Sequence, residues 1–360
     1  MKPYSSPNKI KLEVFSILEY KKETRNLVEN LVHGVKGYGG LGEWFNVDVE
    51  YWYRWFPTTK SYTKAVEESM GDVVLVVIPD EMAVEYDENP YTPLKQAFAL
   101  KHKPSQMVEY HTLKYLADKG YILFNLALNV FTKAGGKPWI LAEKLGYDLY
   151  IGVDCGGGGV ALTFLDRKQD FTWRVEYMPG IEVIQLFKQH LLNTLTEIPG
   201  IEKVKKIILH RDGLVHPSEV EAFRDTVDQL KLEGVLGDVE WAILSIRKRI
   251  VPRIVRRMGG HYSNPIQGTY LKLEEYKYVV ATVGYPDHPL LGETLAKPIF
   301  VELVDTNNWE QDTLTLVKEV YWLAQLNWAS GLLPTKLPIT TLYAHRIIQF
   351  WQVGVIPKLY

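Results

Sequence analysis

The chain has 360 residues, 46% hydrophobic and 23% charged, which suits two globular domains with apolar cores and excludes a disordered chain. Its 41 Lys and Arg against 43 Asp and Glu leave a formal net charge of −2, which would argue against a polyanion partner were the charge spread evenly. No apolar run approaches the roughly 20 residues of a membrane span, the opening MKPYSSPNKIKLEVF lacks a secretory apolar segment, and a single cysteine excludes an intrachain disulfide or a cysteine zinc site, so a cytoplasmic protein with no membrane contact is expected.

Along the first 140 residues strand-like and helix-like patterns alternate. KLEVFSIL is followed by a helical stretch near 20–34, FNVDVEYWY by a helix near 60–70, and the buried strand VVLVVIP at 73–79 by a helix near 91–101 and the apolar run YILFNLALNVF near 121–131. Such alternation predicts a parallel sheet covered by helices, a Rossmann-like layering. GGKPW at 135–139 breaks the pattern and LAEKLGYDLY leads to a fresh strand, so a domain boundary is expected near 141.

The second half reads differently. YIGVD, GVALTFLD and FTWRVEYM predict neighbouring antiparallel strands around the glycine run 156–159, followed by a helix near 181–196 with Ile181, Ile184, Phe187, Leu191 and Leu195 on one face. After the strand KKIILH, Ser218 and Glu221 read as a capping box for a helix carrying Val220, Phe223, Val227 and Leu230, closed by Gly234. Strands WAILSI, YKYVVATVG and IFVELV and helices near 308–328 and 340–353 complete the chain. The order fits an α/β sheet of the ribonuclease H type.

Chemistry concentrates at a few points. Asp154 ends the strand IGVD and Asp212 follows KKIILH in the tetrad HRDG; each alone is most simply a turn-forming Asp near Gly. Two carboxylates at adjacent strand ends can share a divalent cation, and His345, at the start of the last helix in YAHRIIQFW, can complete the coordination. Cys155, among glycines with no base beside it, reads as an inert thiol. From Arg247 to Arg257 the run RKRIVPRIVRR carries six basic residues in eleven and no acid, a positive, ordered face suited to nucleic-acid phosphates.

IGVD, IILHRDG, SIRKR, NPIQGTYLKL and LPITTLYAHRIIQF, in this order, resemble the MID–PIWI half of the Argonaute proteins over roughly residues 75–360. The resemblance implies an N-terminal segment plus a Rossmann-like MID domain over 1–140 and a ribonuclease H-like PIWI domain over 141–360. It implies two divalent metals, Mg²⁺ or Mn²⁺, held by an Asp, Glu, Asp and His or Asp tetrad. Asp154, Asp212 and His345 match three of its places; Glu176 is the best local match for the glutamate and Glu182 the alternative. The family holds a guide's 5′ phosphate with Tyr and Lys one helical turn apart, a later Gln and a Lys before Gly-Gly. Here these are Tyr91, Lys95, Gln106 and Lys133, with Asn129 where some relatives carry a further lysine. By the same resemblance Arg247, Lys248 and Arg249 contact backbone phosphates, and the terminal carboxylate of Tyr360 holds a metal at the guide phosphate.

The function implied is binding of a 5′-phosphorylated RNA or DNA guide, recognition of a complementary target strand, and its cleavage by two-metal hydrolysis, with Asp154 a metal ligand and the glycines a close approach between strands. One alternative is a catalytically silent guide-dependent module that recruits a partner; a remote one is an actin-like ATPase, whose sheet also opens with Asp and a glycine turn. The length leaves no room for the N-terminal and PAZ domains of full-length members. A separate PAZ-like or effector chain or a homodimer mate is therefore an expected partner.

Overall fold

A computed structural model describes residues 2–80, 89–177, 182–249, 251–284, 296–331 and 334–352. Among them the chain divides into two units, one holding residues up to Ile140 with 328–331 and 350–352, the other 141–327 with 334–349. No helix among the described residues is long and apolar enough to cross a membrane.

The first unit runs β1 (Lys9–Ile17), α1 (Lys21–His33), α2 (Leu41–Phe45), β2 (Asp48–Phe56), α3 (Tyr62–Val66), β3 (Val73–Ile78), α4 (Tyr91–Leu100), β4 (Ser105–Glu109) and α5 (Gly120–Lys133). Its four strands form an all-parallel sheet in the order β2-β1-β3-β4. β3 is apolar at every position because both its faces are covered. Val73, Leu75 and Val77 pack with Leu27, Phe45 and Phe131 from α1, α2 and α5, while Val74, Val76 and Ile78 pack with Tyr62, Leu94 and Phe98 from α3 and α4. The run near 121–131 is helix α5, whose near-continuous apolarity reflects burial on several sides.

The second unit runs β5 (Leu149–Gly156), β6 (Gly159–Asp166), β7 (Phe171–Tyr177), α6 (Val183–Glu197), β8 (Lys206–Asp212), α7 (Pro217–Leu232), β9 (Glu240–Arg247), a short hairpin β10 (Arg256–Met258) and β11 (His261–Ser263), β12 (Tyr270–Glu274), β13 (Lys277–Val280), β14 (Ile299–Thr306), α8 (Thr313–Gln325) and α9 (Ile339–Gln352). One eight-stranded sheet has the order β12-β13-β14-β9-β8-β5-β6-β7. Within it β7, β6 and β5 are antiparallel neighbours, and β8 and β9 run parallel to β5. That is the ribonuclease H arrangement expected from the sequence, extended at one edge by three antiparallel strands.

Two local details differ from expectation. The box at the start of α7 is His216 with Glu219, not Ser218 with Glu221: Pro217 occupies the first helical position, so the cap falls on the residue before it. The backbone N–H of His216 donates to Glu219 Oε2 at 2.8 Å. Ile181, placed on the α6 face from sequence, lies outside the described residues.

The four glycines make a two-residue hairpin: Gly156 pairs with Gly159, and Gly157 and Gly158 take φ of 58° and 81°, as a turn with both central residues left-handed requires. Gly152 serves a different purpose. A Cβ there would sit 2.4 Å from Thr163 Oγ1 and from the Thr340 carbonyl, so its bare backbone lets the first turn of α9 rest directly on β5. Thr163 Oγ1 donates to Thr340 O at 2.8 Å across the same contact. Gly152→Ala is expected to destabilise the fold by about 1–3 kcal/mol, the cost of overpacking a rigid contact; urea unfolding of the two proteins reads it directly.

Candidate functional site

Side chains on a strand alternate between faces. On β5, Val153 and Cys155 face a core formed with α6 and α7, whereas Gly152 and Asp154 face α9. The parallel pairing of β5 with β8 ends at Val153 and Arg211, which leaves Asp154 and Asp212 as neighbours on the next rung. Both are buried, at 8% exposure each. Because α9 is seated at Gly152 through Thr340, about 1.4 helical turns later it delivers His345 over the carboxylates. His345 Nδ1 lies 2.9 Å from Asp154 Oδ2 and 3.4 Å from Asp212 Oδ2.

Two cations flank this trio. Lys248, just past β9, donates to Asp212 Oδ2 at 2.6 Å. Arg211 donates from Nη1 to Asp154 Oδ1 at 3.3 Å and from Nε to Glu219 Oε1 at 2.7 Å, so the capping residue of α7 also holds the arginine. Burial pushes the Asp212 carboxyl above the usual range and Asp154's charge adds to this, while the Lys248 contact and His345 oppose it. His210, also in HRDG, is a packing residue: Nδ1 lies 2.9 Å from Thr340 Oγ1, and burial pushes the ring down to about 3, so it stays neutral. Burial pushes the Cys155 thiol up to about 12, which keeps it protonated.

Two carboxylates and an imidazole converge here, with one ligand atom from each within 4.8 Å of the others, and no other such group occurs among the described residues. Hard oxygen donors with one nitrogen suit Mg²⁺ or Mn²⁺. Lysine and arginine already sit against the same carboxylates, so the cluster is one that demands positive charge. The donor set therefore fits the divalent cation expected from sequence.

Glu176 is not part of the cluster. It pairs with Val160, which pairs with Cys155, so it points to the α6 face, where its Oε1 lies 3.2 Å from His190 Nδ1. Burial in that core lowers the His190 pKa and Glu176 counteracts this. The β7 register, one residue out of phase with Asp154, explains the miss. Glu182 is exposed at the N-cap of α6. Glu176→Gln is accordingly expected to change Mn²⁺ affinity by less than about twofold, within the range of a distant, independent site, as calorimetric titration would register.

The basic run is also divided. Arg247 donates to Glu302 Oε2 at 2.9 Å and stacks 3.8 Å from the Phe300 ring centroid, so it is engaged within the sheet rather than on an outward face. Lys248 turns to Asp212; Arg249 is exposed. Tyr360 lies outside the described residues.

In the first unit a second charged group forms around the start of β4. Lys95 Nζ donates to the Ser105 carbonyl at 2.7 Å and Lys133 Nζ to the same oxygen at 2.9 Å; Lys133 also donates to Gln106 Oε1 at 2.6 Å. The Lys95 ammonium stands 5.9 Å from the Tyr91 ring centroid, one turn earlier on α4. Burial pushes Lys95 down to about 8, and burial plus the charge of Lys95 pushes Lys133 well below the ordinary lysine range. Asn129 donates to the Asn125 carbonyl and takes no part. The shared Ser105 carbonyl was not legible in sequence, since a backbone acceptor has no residue signature; Arg211 and Glu219 were overlooked although Arg211 stands inside HRDG.

A protein-family model described as the Piwi domain matches residues 73–352. The chain is 27% identical over 319 residues to a "Piwi protein" of Archaeoglobus fulgidus, covering 80% of this chain and 70% of that one, and 25% identical over 382 residues to a "Protein argonaute" of Aquifex aeolicus, covering 99% and 50%. Among solved structures it resembles Clostridium butyricum Argonaute bound to a guide DNA and a 19-mer target DNA, with a TM-score of 0.75, 23% identity and coverage of 98% of this chain and 49% of that one. It thus spans about half the length of the Aquifex and Clostridium proteins.

Proposed function

The chain belongs to the Piwi-domain family, and from that membership we propose that it binds a guide strand by its 5′ phosphate and uses it to recognise, and cut, a complementary target strand. The observation that carries the first half is the pair of inward-turned lysine ammoniums on one carbonyl oxygen. Two like charges held together, both depressed by burial, with no carboxylate among their described partners, are costly until an anion arrives. A terminal phosphate supplies two charges and several acceptors to Lys95, Lys133, the Gln106 amide and Tyr91. Residues 1–140 then act as an N-terminal segment plus the MID-like domain and 141–360 as the PIWI domain. The test is competition binding of matched strands ending in 5′ phosphate or 5′ hydroxyl: at least about tenfold preference for the phosphate, the worth of one charge-assisted contact, is expected, and equal binding would remove the pocket from the account.

Cutting rests on Asp154, Asp212 and His345, which would hold Mg²⁺ or Mn²⁺. Bound there, a divalent cation supplies positive charge that acidifies water and offsets charge developing on a phosphodiester. The protein's own contribution is placement: β5 and β8 fix the two carboxylates on one rung, Thr340 on Gly152 sets the height of His345, and Glu219 holds Arg211 against Asp154. Sequence choice falls to base pairing, while side chains such as Arg249 address the backbone. A second reading, target binding without cutting, is favoured by one observation: Glu176 faces His190 rather than the carboxylates. A partner chain that anchors the guide's other end belongs to the same proposal.

A further inference from the structure

Lys248 stands where two demands compete. Its ammonium contacts Asp212 Oδ2, the oxygen that also faces His345, so it neutralises an atom that a divalent cation needs. The Asp212 side chain is 4% exposed and that of Lys248 23%, which makes the lysine the outward partner of the pair, able to leave toward solvent without opening the site.

The surroundings of Lys248 on the other side are strongly positive. Lys336 Nζ donates to the Lys248 carbonyl at 2.6 Å, and burial together with the charges of Lys297, Arg253 and Lys248 pushes the Lys336 ammonium down to about 8. Arg249 is exposed next along the chain. Cations gathered in this way attract an anion, and a nucleic-acid phosphate is the anion that the proposed function brings.

These two facts join. Resting on the guide-binding reading above, we infer that Lys248 is an exchangeable counter-ion: without strand or metal it neutralises Asp212, and a backbone phosphate of a bound strand draws it away, so that strand loading raises the affinity of the Asp154, Asp212 and His345 centre for a divalent cation. Lys248 is a positioning residue in this scheme. It replaces charge with charge, since Asp212 loses a monovalent partner as it gains a divalent one, and the phosphate takes over the displaced ammonium. Linkage makes the effect reciprocal: the cation strengthens strand binding by the same factor.

The test uses the full chain and Mn²⁺, whose free concentration is read by electron paramagnetic resonance, with and without a saturating 5′-phosphorylated oligodeoxynucleotide whose binding is followed by anisotropy. Lys248→Met without strand is expected to bind Mn²⁺ about tenfold more tightly than wild type, the worth of one charge-assisted contact, and to gain less than about twofold on loading. Wild type is expected to gain about tenfold on loading, and Lys248→Arg to behave as wild type. Lys248→Met binding no more tightly than wild type overturns the inference, as does wild-type Mn²⁺ affinity that strand binding leaves unchanged. Absence of strand binding overturns the guide reading and the coupling with it. Mn²⁺ binding undiminished in Asp212→Asn moves the ion elsewhere and overturns the inference on different grounds. Thermal unfolding of each variant separates these outcomes from loss of fold.

Discussion

Asp212→Asn is expected to abolish target cutting, by more than about 100-fold, because loss of a metal ligand exceeds the 10–100-fold effect of losing a residue that merely orients one. Guide binding is expected to change by less than about twofold, since Asp212 belongs to the second unit and the proposed phosphate-binding residues belong to the first. Asparagine keeps the shape and an acceptor for Lys248, so the fold is retained while the charge that attracts the cation is gone. It also leaves the Lys248 ammonium without its carboxylate partner, which costs some stability in a site this buried. Single-turnover cleavage alongside guide anisotropy reads both halves of the expectation.

Lys133→Met is expected to weaken binding of a 5′-phosphorylated strand by about 10–100-fold, equivalent to one strong charge-assisted hydrogen bond, while a 5′-hydroxyl strand loses little. Stability is expected to hold or rise, because methionine removes a buried ammonium that the empty pocket disfavours. The pH dependence has a defined sign. Lys95 is lowered from 10.5 to about 8 in the fold, so the folded chain binds fewer protons than the unfolded one between those values. Its contribution therefore makes the empty protein more stable as pH rises from about 8 to 10.5, and least favoured below about 8, where the fold must carry the charge. A bound phosphate restores the charged lysines, so strand binding takes up protons and the preference for 5′ phosphate is expected to shrink between about pH 7 and 9. Binding that strengthens over that interval would remove the lysines from the pocket.

Some of this was legible in the sequence for physical reasons. Asp154 and Asp212 each follow an apolar strand, and strands of a parallel pair end at one level, so the carboxylates meet. Lys95 and Tyr91 are four apart on a helix and share a face. Glu176 failed because motif spacing carries no information on register: only the pairing of β7 with β6 decides which face a residue takes, and a shift of one reverses it. The ion pair of Arg247 was hidden for a similar reason. Arg247 is the last residue of a central strand, with Phe300 opposite on β14 and Glu302 diagonal to it, a partner 55 residues away that no local charge count can supply. The helix of residues 120–133 was ambiguous because a run buried on several sides loses its period.

The most direct measurement is cutting of labelled complementary DNA and RNA targets by the chain loaded with 5′-phosphorylated DNA or RNA guides, in Mg²⁺ and in Mn²⁺, beside Asp212→Asn. A guide-dependent cut that requires the divalent cation and disappears in Asp212→Asn is the predicted result. A cut that persists in the variant, or a chain that neither binds guide nor cuts target, would contradict the account.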